Sequence, residues 1–143
     1  MNVLMAVDLS ESAGPFLEQA VALLGGALGR VWLLHVAEPE PDFVGFEIDS
    51  AVMRGQVAEG FHREHRQLQA LAEGLREQGV DATALLVRGE TVKTIAEQAK
   101  KLGADLIVVG AHKGGALRRL LSAEADWGGV AASGTPVLLM PAG

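Results

Sequence analysis

The sequence predicts an α/β domain built on a parallel β-sheet with helices on both faces. Three observations predict it. Val3–Val7, Val31–Val36, Ala82–Val87, Leu106–Val109 and Val137–Met140 are short apolar runs without polar alternation. Continuous runs of this kind mark strands buried on both sides. Between most of them lie segments whose apolar residues recur at helical spacing. Strands that alternate with helices pair in parallel through crossover connections.

The first strand is expected over Asn2–Val7, with Asp8 at its C-terminal end. Ser10 reads as the N-cap of the helix that follows, because its hydroxyl can accept from the first turn's free amides. Leu17, Val21, Leu24 and Leu28 form that helix's apolar stripe, and Gly29 reads as its C-cap. Val31–Val36 is the second strand, with His35 inside it. The stretch from Ala37 to Ser50 carries Pro39 and Pro41 and is expected as a long surface excursion, a common place for function.

Ala51–Gln78 is the longest helical segment, with Val57, Phe61, Leu68, Leu71 and Leu75 inward and Gly79 ending it. Asp81–Val87 is the third strand. A helix with Val92, Ile95, Ala96 and Ala99 inward follows the turn at Gly89–Thr91, and Gly103 ends it. Asp105–Val109 is the fourth strand. Gly110 opens the loop Ala111–Gly115. A last helix is expected over about 123–132, and Pro136–Met140 is the fifth strand.

Composition bounds the function. At 143 residues and 49% hydrophobic, the chain fits one globular domain spanning 1–143. It has no cysteine, so disulfide and thiolate chemistry are absent. A net charge of −6 argues against broad contact with nucleic acid or an anionic membrane. Met1 leads into an apolar strand without a basic leader, and the apolar runs fall far short of the roughly 20 residues a membrane span needs. The expectation is a soluble, cytoplasmic protein.

In doubly wound sheets, ligands bind beyond the strand C-termini where strand order reverses. Asp8, Val36 with Ala37, and Gly110–Gly115 stand at such ends. Strand, glycine-rich loop and helix is also the layout that turns backbone N–H groups toward an anion.

The segments AVDLS, LLHV, RGETVKTIAEQAKKLGADLIVVGAHKGG and TPVLLMP together resemble the universal stress protein family. The similarity covers nearly the whole chain and keeps the family's order of elements. It implies a single doubly wound five-stranded sheet of order 3-2-1-4-5, adenine-nucleotide alpha-hydrolase-like, usually in a homodimer. One branch of the family binds ATP through a motif of glycine, two residues, glycine, nine residues, glycine, then serine or threonine. On this chain those four positions are Gly110, Lys113, Ala123 and Glu124, so one of the four matches. Ala6, Asp8 and Val36 stand where that branch contacts the nucleoside.

The departures have physical consequences. Lys113 and Ala123 restrict the close approach that glycine allows. With Ser122 as N-cap, Glu124 takes the second helical position, where a carboxylate suits the helix dipole and repels a phosphate. At ~4 Å the repulsion of two unit charges is about 4 kcal/mol for an effective dielectric near 20. Against this, Gly114 and Gly115 lie within two places of the expected glycine, and Lys113, Arg118 and Arg119 supply positive charge. The loop as a whole is closer to the family's A-type branch, which lacks the motif and is thought not to bind ATP.

The remaining candidates read as structural. His35 is a histidine inside an apolar strand rather than a ligand, and His112 packs in its loop without an adjacent acidic partner. His62 and His65, with Arg63, Glu64 and Arg66, read as a solvated charged face, because no third metal ligand is apparent. Asp8 stays open between a ribose hydroxyl and local capping. Trp127 reads as core or dimer contact. The apolar edge Val137, Leu138, Leu139 and Met140 needs a partner, and the resemblance implies antiparallel pairing with a second copy.

The favoured reading is a homodimeric stress-response module without firm ATP binding, acting through an unidentified protein partner. The alternative is an ATP- or AMP-binding member with a modified phosphate loop. No general base or Mg²⁺ carboxylate can be named opposite the loop, so a slow nucleotide hydrolase is the least favoured.

Overall fold

A computed structural model of the chain describes residues 1–37, 50–110 and 134–140. The strands are β1 (Val3–Ala6), β2 (Arg30–Ala37), β3 (Asp81–Arg88), β4 (Leu106–Gly110) and β5 (Val137–Met140). The helices within the described residues are α1 (Ala13–Leu24), α2 (Ser50–Glu77) and α3 (Thr91–Leu102), with a 3-10 turn at Gly25–Ala27. The strands form one five-stranded sheet of order β3-β2-β1-β4-β5, and every pairing is parallel. The expected fold class and strand order are both present. The expected helix at 123–132, with Trp127, and the excursion over 38–49 lie outside the described residues.

The alternation of strand side chains divides the core into two layers. Val3, Met5, Val7, Val31, Leu33 and Val108 face Leu17 and Ala20 of α1 and Leu68, Ala72 and Leu75 of α2. Leu4, Ala6, Trp32, Leu34, Val36, Ile107 and Val109 face Ile95 and Ala99 of α3. Leu4, Leu33, Leu34, Leu68, Ile95 and Ile107 are fully buried, each contributing about 1.5–3 kcal/mol by leaving water. Burial on both faces explains why the strand runs lack polar alternation.

Several expectations shift once the packing is seen. Ser10 is not the N-cap of α1. Ser12 holds that position, and the Ser10 hydroxyl lies 2.7 Å from the Ser12 hydroxyl and 3.3 Å from the Ser12 amide. Gly29 does not cap α1 either. The helix ends at Gly25, and the Gly29 N–H donates to the Met1 carbonyl at 2.8 Å. A Cβ on Gly29 would stand 3.0 Å from that carbonyl oxygen, so the glycine serves a close backbone approach. Gly103 does end α3, in the left-handed region at φ 64°, with its N–H directed to the carbonyls of Ala99 and Lys100.

The inward stripe of α3 is rotated from the expected one. Ile95 and Ala99 are buried as expected, but Thr91 and Thr94 are buried with them while Val92 and Ala96 are only half-buried. Asp105 precedes β4 rather than starting it. Its carboxylate accepts from the Asn2 N–H at 2.8 Å and its own N–H donates to the Asn2 carbonyl at 2.7 Å, which fixes the start of β1 against β4. Gly110 is the last residue of β4, paired in register with Met140, rather than the first of a loop.

Candidate functional site at the sheet reversal

The strand order reverses between β1 and β4, so the crevice beyond their C-terminal ends is the place where this topology admits a ligand. Ala6 stands at its centre, in register with Leu34 of β2 on one side and Val109 of β4 on the other. Val36 lies on the same face of the sheet, in register with Val87 of β3. Ala6 and Val36 are 2% and 8% exposed and belong to the core layer under α3. Asp8 follows two residues beyond β1 and is half-buried. The structure thus brings Ala6, Val36 and Asp8 to one edge, as expected from the sequence.

The edge is braced by its own polar groups. The Val7 N–H donates to the Leu34 carbonyl at 2.8 Å, which extends the β1–β2 ladder past the end of β1. The Val7 carbonyl in turn lies 2.9 Å from Nδ1 of His35. A carbonyl oxygen only accepts, so Nδ1 is the donor. The Gly89 N–H donates to the Ala37 carbonyl at 3.2 Å, which ties the turn after β3 to the end of β2. His35 is therefore a structural histidine, as its place in an apolar strand suggested.

Sequence reasoning missed Glu64. Its Oε2 lies 3.5 Å from Nε2 of His35 and is buried, although the neighbouring His62, Arg63, His65 and Arg66 are exposed. Glu64 thus stands at the rim of the solvated face, its side chain 38% exposed and one oxygen turned inward toward His35. The signal was present in the spacing, since position 64 continues the stripe of Phe61, Leu68, Leu71 and Leu75. A charged residue on a buried stripe points to a polar partner across the interface.

Phe16 was also missed, and it changes the meaning of Gly110. A Cβ on Gly110 would stand 3.1 Å from Cδ2 and 3.4 Å from Cε2 of the Phe16 ring. The space left by the missing side chain is filled from within by α1. Pairing of Gly110 with Met140 and packing against Phe16 together account for a glycine there without any phosphate. The remaining loop candidates, His112, Lys113, Gly114, Gly115, Ala123 and Glu124, together with Arg118 and Arg119, lie outside the described residues.

At the two ends of the sheet the roles differ. Arg88 ends β3 with its guanidinium 4.4 Å from the Phe61 ring centroid, which holds the edge strand to α2. On β5, Val137 and Leu138 pack on opposite core layers, Met140 is 6% exposed and Leu139 is 47% exposed. Among the described residues no cluster of three histidine or acidic side chains could hold a metal, and no helix is long and apolar enough to cross a membrane.

A parallel sheet in this order, wound on both faces and open at the β1–β4 reversal, defines the doubly wound α/β class. Within that class the assignment is specific. The model of the Universal stress protein family matches residues 1–141, and the chain belongs to that family. Solved structures agree on the fold. A universal stress protein family member from Burkholderia pseudomallei is 23% identical over 99% of this chain and 96% of its own, with a TM-score of 0.66. A universal stress protein solved in complex with cAMP is 20% identical over 100% of this chain and 98% of its own, also with a TM-score of 0.66. The universal stress protein from Archaeoglobus fulgidus in complex with dAMP is 19% identical over 97% of this chain and 96% of its own, with a TM-score of 0.57. No curated protein matches the chain.

Proposed function

We propose that this protein is a homodimeric regulatory module of the stress response that works without firm ATP binding. The observation that carries this reading is the setting of Gly110. It is the one glycine of the ATP motif that the chain keeps, and its open face is taken up by Phe16. The other motif positions hold Lys113, Ala123 and Glu124, which favour neither close phosphate approach nor an anion at the helix start. Signal output then runs through a protein partner rather than through nucleotide turnover.

The edge position of β5 supports the dimer. Among the described residues its outer backbone groups have no neighbouring strand in the sheet order, and Leu139 presents an exposed apolar side chain there. An uncovered apolar edge favours pairing with another strand, and a second copy supplies one by two-fold symmetry.

A second reading is adenine mononucleotide binding. It is favoured by Asp8 standing half-buried at the reversal beside Ala6 and Val36, and by the cAMP and dAMP bound to two proteins of this fold. Calorimetric titration of protein stripped of carried-over ligand separates the readings. No ATP, AMP or cAMP binding below millimolar is expected. Micromolar ATP affinity overturns the proposal, and micromolar affinity confined to AMP or cAMP replaces it with the second reading.

A further inference from the structure

We infer that His35 is a positioning residue: its ring takes the Val7 carbonyl out of the β1–β2 ladder and so leaves the Val36 N–H as a free donor beside the sheet reversal. The end of the ladder shows where this happens. β2 stays paired with β3 as far as Ala37 and Arg88, but its pairing with β1 stops at Leu34 and Ala6. One further bond, from the Val7 N–H to the Leu34 carbonyl at 2.8 Å, closes it.

In a parallel sheet the backbone groups of a central strand turn alternately to its two neighbours. The Leu34 carbonyl faces β1, and the Ala37 carbonyl faces β3, where it accepts from the Gly89 N–H at 3.2 Å. Val36 is in phase with Leu34 and therefore faces β1. The next rung of a regular ladder would run from the Val36 N–H to the Val7 carbonyl. Among the described residues that bond is not made. The carbonyl instead lies 2.9 Å from Nδ1 of His35. It can only accept, so Nδ1 is the donor. The neutral ring protonated at Nδ1 and the imidazolium both carry that hydrogen, so the arrangement does not depend on the charge of the ring.

The ring approaches from the other side of the sheet. Val31 and Leu33 belong to the layer under α1 and α2, and His35 shares their parity. Ala6 and Val36 belong to the layer under α3. His35 thus holds the carbonyl without taking up space in the layer where Ala6 and Val36 lie. Val36 is 8% exposed. A buried backbone N–H without an acceptor is rare and costly. At a strand end beside the reversal, such a group is a ready donor for an occupant. It cannot accept, so whatever fills the gap must offer it an acceptor. His35 plays this part with or without a bound nucleotide.

The test is NMR of the whole chain without ligand. Couplings transmitted through hydrogen bonds, from amide nitrogen to carbonyl carbon, report which rungs exist. Wild type is expected to show the coupling from Val7 to Leu34 and none from Val36 to Val7. Its Val36 amide is expected to exchange with solvent about tenfold faster than the Val7 amide, as an unpaired group does. In His35→Leu the Val7 carbonyl loses its donor, so the Val36–Val7 coupling is expected to appear and Val36 exchange to slow by about tenfold. That closure replaces one hydrogen bond but not the packing of the ring, so it does not restore wild-type stability. In His35→Asn the side-chain amide nitrogen takes the place of Nδ1 and can donate, so the wild-type pattern is expected to remain. A Val36–Val7 coupling in wild type, or a Val36 amide as protected as that of Val7, overturns the assignment without recourse to any variant. A His35→Leu protein with an unchanged Val36 amide overturns it too, as does a His35→Asn protein that closes in the same way as His35→Leu.

Discussion

His35 joins two elements that are far apart in the chain: its Nδ1 lies 2.9 Å from the Val7 carbonyl and its Nε2 lies 3.5 Å from Oε2 of Glu64. The ring thus ties the end of β1 to α2 from a position on β2. Replacing His35 with alanine removes the donor to Val7 and leaves the carbonyl of this buried residue without its partner. The expected loss is about 1–3 kcal/mol. Urea unfolding followed by circular dichroism reads it as a lower midpoint. An unchanged midpoint means that the Val7 carbonyl finds another donor and that the brace is dispensable.

Gly110 and Phe16 form the second relationship with a measurable consequence. An alanine at position 110 places its methyl group 3.1 Å from the ring. The ring must move by a few tenths of an ångström, and overpacking of this kind costs about 1–3 kcal/mol. Phe16→Leu in the same protein is expected to recover part of that loss. A double-mutant cycle measures the coupling. Strict additivity of the two changes would show that Phe16 does not fill the glycine's space.

The phosphate loop yields a gain-of-function prediction. Lys113→Gly, Ala123→Gly and Glu124→Ser together restore the spacing of the ATP-binding branch. ATP affinity is expected to rise by at least about tenfold, a shift of about 1.4 kcal/mol. Equilibrium dialysis with labelled ATP checks it. A flat response to all three changes would show that these positions do not govern phosphate binding.

Leu139 is the side chain on which the dimer is tested. It is 47% exposed, so Leu139→Lys leaves the protomer's core intact while placing like charges across a paired edge. Sedimentation velocity is expected to shift from dimer to folded monomer. Met140→Lys is the contrasting variant. Met140 is 6% exposed within its own chain, so a charge there is expected to unfold or precipitate the protein. A Leu139→Lys protein that remains dimeric rules out pairing through β5.

Much of the fold was legible because its signals are local. A continuous apolar run such as Val31–Val36 announces a strand buried on both faces, and Gly103 announces a helix end through a conformation that glycine adopts readily. Signals failed where a residue's role is set by a distant neighbour. Gly29 looks like a cap in sequence and is a contact point for Met1 in space. Thr91 and Thr94 lie off the expected apolar stripe of α3 and are buried nonetheless. Glu64 looks like one charge among five and is turned toward a histidine on β2.

The same division applies to the stretch around Gly110. By itself the sequence determined the class of the domain and the strand ends where a ligand would sit, because periodicity and glycine punctuation are written residue by residue, and its segments carry the resemblance to the family. Only the tertiary structure decided what those residues do. Whether Gly110 leaves room for a phosphate depends on which ring packs against it, and whether His35 is a ligand or a brace depends on what its two nitrogens meet. Both answers lie in side chains brought together across the sheet, at separations that no local pattern records.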